Sequence, residues 1–313
     1  MRIFILKIIG FLVASFGLVL SLVFFAHYTV ANKFNFEIDN SKKTLFLGHS
    51  HPECAYDDSI IENSKNLSKG GESYFYTYYK LKNVLKSNPH IDRVFLEYSN
   101  TMLTKKMDKW TFGYQKMNAH LPWHASFLSQ EDFNLIYQNS ANDAFAVLST
   151  STRVNLLKLI FNKLSIDKDF GSYVSFDRSF MPSIDISNID GDNLVNRSTQ
   201  VSQQSIRDLD RIVRLCNIHK VELLFIRSPQ HTTFNRQNED SLMWYKANKY
   251  PQVKFIDLDA FPLQDKQFGD EGHINKWGAK DVSTWLNTLM KNNVLQRNDY
   301  KEVTEKEIDA IGQ

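Results

Sequence analysis

Thr44-Leu45-Phe46-Leu47-Gly48-His49-Ser50-His51 is the stretch on which the reading of this chain turns. Its first four residues, mostly apolar, have the length and side-chain type of a short buried strand, and Gly48 ends it at a turn. A serine and two histidines therefore leave the strand together. Further on, Glu72 to Ser87 (ESYFYTYYKLKNVLKS) reads as a helix with Tyr74, Tyr78, Leu81 and Leu85 on one face, and Asn88-Pro89 stops it. Arg93 to Tyr98 (RVFLEY) is a second strand. Strand, helix and strand in that order imply a right-handed parallel crossover.

The same pattern returns later. Ser205 to His219 is an amphipathic helix carrying Ile206, Leu209, Ile212, Val213 and Leu215 largely on one side. Val221 to Ile226 follows as an apolar strand closed by Ser228-Pro229, Val253 to Asp257 as a further strand, and Lys276 to Lys291 as a closing helix. The expected architecture is a three-layer α/β sandwich on a mostly parallel sheet. Residues 101–200 break the alternation. Arg153 to Leu164 looks helical, Ser183 to Ser198 polar and loop-like, and the whole reads as an insertion, a cap or lid on the sheet. The sheet domain would thus occupy 33–313, with its core at 44–100 and 201–291.

Ahead of it, Ile8 to Ala26 (IIGFLVASFGLVLSLVFFA) is uncharged and mostly apolar. As a helix it would rise about 28 Å, enough to cross the hydrocarbon of a bilayer. A cleaved signal peptide is the competing reading. Its apolar segment is ordinarily shorter, and Phe24, Phe25 and His27 crowd the exit where small residues belong. The expectation is an uncleaved single-pass anchor over 1–32, with a short cytoplasmic tail and the domain outside the cell membrane, periplasmic or extracellular. No second span is expected. Basic residues flank the run on both sides, so the positive-inside signal is weak.

The chain holds 37 basic and 35 acidic side chains in 313 residues, a net charge of +2. Arg2 and Lys7 account for the excess, which leaves a balanced domain without a basic block and argues against nucleic acid as a partner. With 12 Gly, 7 Pro and 2 Cys, it is neither a fibre nor a disulfide-stapled miniprotein. Cys54 and Cys216 could pair in an exported domain, or each be a buried thiol. No Cys/His metal spacing exists, and no cofactor is expected.

Near the other end, Phe268-Gly269-Asp270-Glu271-Gly272-His273-Ile274-Asn275 forms a glycine-containing loop before the last helix. A serine becomes a nucleophile only beside a base, and that base needs a group to orient its far nitrogen. His273 could take the Ser50 proton while Asp270 fixes the imidazole.

Here the sequence resembles the SGNH/GDSL hydrolase superfamily. Gly48-His49-Ser50 is similar to its Gly-Asp-Ser block except for the central histidine, and Asp270-Glu271-Gly272-His273 matches its Asp-x-x-His block. The resemblance implies a flavodoxin-like fold and an oxyanion hole from Gly70 or Gly71 and from Asn100, although the usual Gly-x-Asn-Asp wording is absent around Asn100. It implies an acyl-enzyme on Ser50, hence a serine esterase or acyltransferase acting on acyl esters, with envelope glycans or lipids as candidates at a membrane. A catalytically inactive protein of the same fold that binds glycan or serves envelope assembly is the alternative. His49 and His51 would contact substrate or, with Asp270 and His273, hold a metal in a third, metal-dependent reading. The simplest role for His49 is a hydrogen bond to backbone. His231, after Ser228-Pro229-Gln230, would line the pocket or be a solvated loop residue. Trp110 and Trp123 are candidates for stacking on sugar, with burial as the default.

Overall fold

The computed structural model describes residues 1–180 and 200–312. Five parallel strands, β1 (Thr44–Leu47), β2 (Ser64–Asn66), β3 (Arg93–Glu97), β4 (Glu222–Arg227) and β5 (Lys254–Asp257), form one sheet in the order β2-β1-β3-β4-β5. This is the doubly wound, flavodoxin-like order, in which the winding direction reverses between β1 and β3. The expected α/β class, parallel sheet and four of the strands are all present. The fifth, β2, pairs with β1 from Thr44↔Ser64 to Phe46↔Asn66. It is polar and three residues long, and so carries no hydrophobic pattern.

Side chains alternate across the strands and build a core on each face. Leu45, Leu47, Val94 and Leu96 pack against the helices Tyr74–Ser87 and Gln203–His219. Phe46, Phe95, Leu224, Ile226 and Ile256 face the other way, onto the helix Lys276–Lys291 through Ala279, Val282, Leu286 and Leu289. Three layers follow.

The crossover from β3 to β4 contains the inserted residues. It is more helical than the pattern of residues suggests: Met107–Phe112, Tyr114–His124, Gln130–Asn139 and Ala141–Phe161 are all helices. The stretch expected from Arg153 begins at Ala141, and Asn162 ends it in the left-handed conformation. The loop expected at Ser183–Ser198 lies outside the described residues. Met117, Leu121, Ile136, Ala144 and Val147 pack on Phe75, Tyr76 and Tyr79, so the aromatic run serves the sheet on one side and the insertion on the other. The apolar N-terminal run is a helix, Arg2–Lys33, exposed along nearly its whole length. Against the expectation of one span, Ala141–Phe161 is also long and apolar enough to cross a membrane by length and composition. Cys54 and Cys216 are both buried free thiols.

A buried ion pair holds the segment between β2 and the helix Tyr74–Ser87. Lys80 Nζ lies 2.8 Å from Glu72 Oε2 with neither side chain exposed, and it also donates to the Leu67 carbonyl. Glu72 accepts the Thr77 hydroxyl at 2.8 Å. Burial pushes the Lys80 pKa down and the Glu72 pKa up, and their mutual attraction opposes both shifts. Lys80→Met would strand a buried carboxylate, a change worth about 3–5 kcal/mol of stability. Urea unfolding should register that loss, and adding Glu72→Gln should recover much of it. A single-variant loss under ~1 kcal/mol would count against the pair.

Candidate active site

Gly48 sets the geometry where β1 ends. Its φ is +151°, and a Cβ there would lie 2.5 Å from Glu97 Cβ and 2.7 Å from Pro52 Cγ. Only glycine fits. Two residues later Ser50 opens the short helix Ser50–Ala55, and His49 caps it by accepting the His51 N–H on Nδ1 at 3.3 Å. Asn66 of β2 braces this helix, its amide donating to the Pro52 and Tyr56 carbonyls at 2.8 Å each. Ser50 therefore stands at the carboxyl end of the sheet beside the point where the winding reverses, which is where ligands bind in such sheets.

The loop before the last helix reaches the same place. An isolated antiparallel bridge joins Phe268 to Ile274, and the Gly269 N–H donates to the His273 carbonyl at 2.8 Å. Asn275 anchors the loop's exit: it accepts the Trp277 and Gly278 N–H groups, and its amide donates to the Lys266 and Phe268 carbonyls. In this frame His273 Nε2 lies 2.7 Å from Ser50 Oγ, and His273 Nδ1 lies 2.7 Å from Asp270 Oδ1. The same Asp270 oxygen accepts the Gly272 and His273 N–H groups at 3.0 Å each. Partial burial pushes the Asp270 carboxyl up. The His273 contacts, the Gly272 N–H and the Arg178 guanidinium outweigh that and hold it at about 2. An ionised Asp270 puts the imidazole proton on Nδ1 and leaves the Nε2 lone pair for the serine hydroxyl.

Arg178 was not visible as a site residue in the sequence. It comes from the insertion, donates to Asp270 Oδ2 and to the Gly269 carbonyl, each at 3.1 Å, and stacks on Phe176. Along the same segment Val174 donates to the Glu53 carbonyl at 2.9 Å and Lys276 to the Phe176 carbonyl at 2.9 Å. The segment Val174 to Arg178 of the insertion thus ties the serine helix to the histidine loop.

Of the two glycines, Gly70 is the one beside the serine. A Cβ on it would sit 3.7 Å from Ser50 Cβ and 3.0 Å from Glu53 Oε2, whereas one on Gly71, at φ +75°, would meet Lys116. The Glu53 carboxyl lies beside Gly70; burial raises its pKa and the Gly70 amide opposes that rise. Asn100 is buried at the exit of β3, its Oδ1 accepting the Thr101 N–H at 3.0 Å.

His49, His51 and Glu97 bring one potential metal ligand each within 4.8 Å of one another. His49 Nδ1 accepts the His51 N–H, while His49 Nε2 and Glu97 Oε1 are buried without a hydrogen-bond partner among the described residues. His51 Nδ1 faces the Gln230 amide at 3.1 Å and Glu97 Oε1 at 3.8 Å. Burial lowers both histidine pKa values, so the rings stay neutral beside His273. The backbone role expected for His49 is the one found.

His231 is buried rather than solvated. Its ring bonds Thr233 at 2.8 Å and Asp265 at 3.2 Å, while its N–H donates to the Glu271 carbonyl at 2.9 Å, which braces the Asp270–His273 loop. Trp110 stands edge-on to His49, and Trp123 has Lys158 over its ring at 3.4 Å, so that face is already covered.

No family model and no curated protein matches this chain. Two solved structures are similar over most of its length. A Bacteroides fragilis protein assigned by name as an acylhydrolase shares 8% identity at a TM-score of 0.36, covering 86% of this chain and 94% of its own. A Bacteroides thetaiotaomicron protein named a GDSL-like lipase shares 8% at 0.35, covering 87% and 98%. At that level of similarity, the chemistry of this chain rests on its own geometry.

Proposed function

We propose that this chain is a serine esterase or acyltransferase acting on acyl esters, anchored by the helix Arg2–Lys33 with its α/β domain outside the cell membrane. One observation carries the chemistry: the unbroken relay from Ser50 Oγ through His273 to Asp270, with both links at 2.7 Å. Ser50 attacks the ester carbonyl as His273 Nε2 takes its proton. The imidazolium, balanced by Asp270, then returns the proton to the departing alcohol, leaving an acyl group on Ser50. Water or a sugar hydroxyl, deprotonated by His273 in turn, completes hydrolysis or transfer. Glycans or lipids carrying acyl esters are the substrate class that suits a membrane tether.

The Ser50 and Gly70 N–H groups and the Asn100 amide are the proposed donors to the developing oxyanion, each such donor contributing roughly 3–4 kcal/mol at the barrier. The Glu53 carboxyl stands beside Gly70, close to where the oxyanion would develop. Glu53→Gln removes a negative charge beside the oxyanion, and kcat should rise by about fivefold. A fall in kcat would instead make Glu53 a participant in the reaction. The second reading is an inactive protein of the same fold, in which the Glu53 carboxyl beside Gly70 keeps an ester from that position. A fluorophosphonate probe separates the two: active full-length protein is labelled, with the adduct mapping to Ser50. Folded protein that resists labelling and turns over no acyl ester would support the inactive reading.

A further inference from the structure

The helix Ala141–Phe161 leaves several large apolar side chains exposed. Ala144, Val147, Ser151 and Asn155 are buried, against the rest of the insertion and the end of the helix Arg2–Lys33. The opposite side presents Phe145, Leu157, Ile160 and Phe161 at 72%, 44%, 71% and 61% exposure. At 100° per residue these four fall within about 160° of arc. Four large apolar groups on one side of a helix mark a surface that is covered in use.

What covers it follows from the neighbouring helix. The helix Arg2–Lys33 is exposed until its last turns, where Ala26 and Val30 become buried. There His27 bonds Ser126 at 3.0 Å and Thr152 at 3.3 Å, the latter midway along Ala141–Phe161. The apolar run Ile8–Ala26 ends at this contact, so Ala141–Phe161 is fixed at the level where a span would leave the bilayer. Arg153, Lys163 and Lys168 are exposed on the same stretch of chain, suited to the phosphates of anionic lipids.

We propose that the exposed side of Ala141–Phe161 docks on the lipid bilayer, seating Phe145, Ile160 and Phe161 among the acyl chains and the basic residues at the headgroups. The inference rests on the membrane-anchor reading. Docking makes the insertion a second foothold, so the domain sits on the membrane instead of swinging from it, and substrates at the lipid surface become accessible.

Single-cysteine substitutions in the full chain, reconstituted into phosphatidylethanolamine–phosphatidylglycerol vesicles, test this directly. Cys54 and Cys216 stay in place because both are buried. A fluorophore goes on Phe145→Cys or Ile160→Cys, with Leu18→Cys reporting the anchor and Ile218→Cys, on a distant exposed helix face, reporting water. Docking is expected to make the probes at 145 and 160 sensitive to nitroxide-labelled lipid and insensitive to aqueous iodide, as at 18. Iodide quenching at 145 and 160 with lipid quenching at 18 would overturn the docking alone. Iodide quenching at 18 as well would overturn the anchor with it. Protection from both quenchers at 145 and 160 would mean a protein partner covers the helix, and would also overturn docking.

Discussion

Ser50→Ala is expected to lower turnover of an acyl ester by about a millionfold and to abolish fluorophosphonate labelling, while the protein stays folded. The size of the effect comes from the covalent step: without Oγ there is nothing for His273 Nε2 to deprotonate at 2.7 Å and nothing to carry the acyl group. Folding should be spared, because Ser50 is the first residue of a helix that is capped by His49 and braced by Asn66. The measurement is kcat on a chromogenic acetyl ester together with a thermal melt. Turnover retained within tenfold, or labelling that persists in the variant, would mean that the nucleophile lies elsewhere.

Asp270→Asn should cost about ten-thousandfold in kcat with KM little changed. The neutral amide no longer balances the imidazolium formed when His273 takes the serine proton. Its NH₂ also replaces the oxygen that faces Arg178, putting two donors opposite each other. Because folding holds the Asp270 carboxyl at about 2, below its ordinary 3.8, the wild-type loop keeps its charge through mildly acidic conditions. Its contribution to stability is complete above the unfolded value and is lost as pH falls toward 2. A variant within tenfold of wild type would remove Asp270 from the relay and point to another group orienting His273.

The fold was legible in the sequence where burial writes a pattern. β1, β3, β4 and β5 are short apolar runs, and the helices Tyr74–Ser87, Gln203–His219 and Lys276–Lys291 carry one apolar face each. β2 escaped notice because Ser64, Lys65 and Asn66 act through hydrogen bonds, and an edge strand so short has no period to read. Apart from the end of Ala141–Phe161, the insertion's helices escaped for a different reason: they pack on each other and on Tyr76 and Tyr79, away from the sheet, so their apolar residues do not repeat the sheet's alternation.

The site divides along the same line. Ser50, Asp270 and His273 could be proposed from the sequence because a serine–histidine–aspartate relay needs those residue types at the ends of neighbouring elements, whereas the choice of Gly70 over Gly71 depends on which lies beside Ser50. Arg178 and Glu53 were not visible. Each acts through a contact across the fold, and nothing in Phe176-Asp177-Arg178 or Pro52-Glu53-Cys54 marks it beforehand. His231 misled in the other direction, since its loop looked solvated while its ring is enclosed by Phe180 and Phe268.

The separation of Ser50 from His273 along the chain, 223 positions, has a consequence for biogenesis. A contact of such long range forms late, because loop closure must precede it and the last helix must be present to anchor the loop. During synthesis Ser50 emerges 223 positions ahead of His273. Under the proposed mechanism, a chain still being made would carry the serine without its base until the loop holding His273 has followed it.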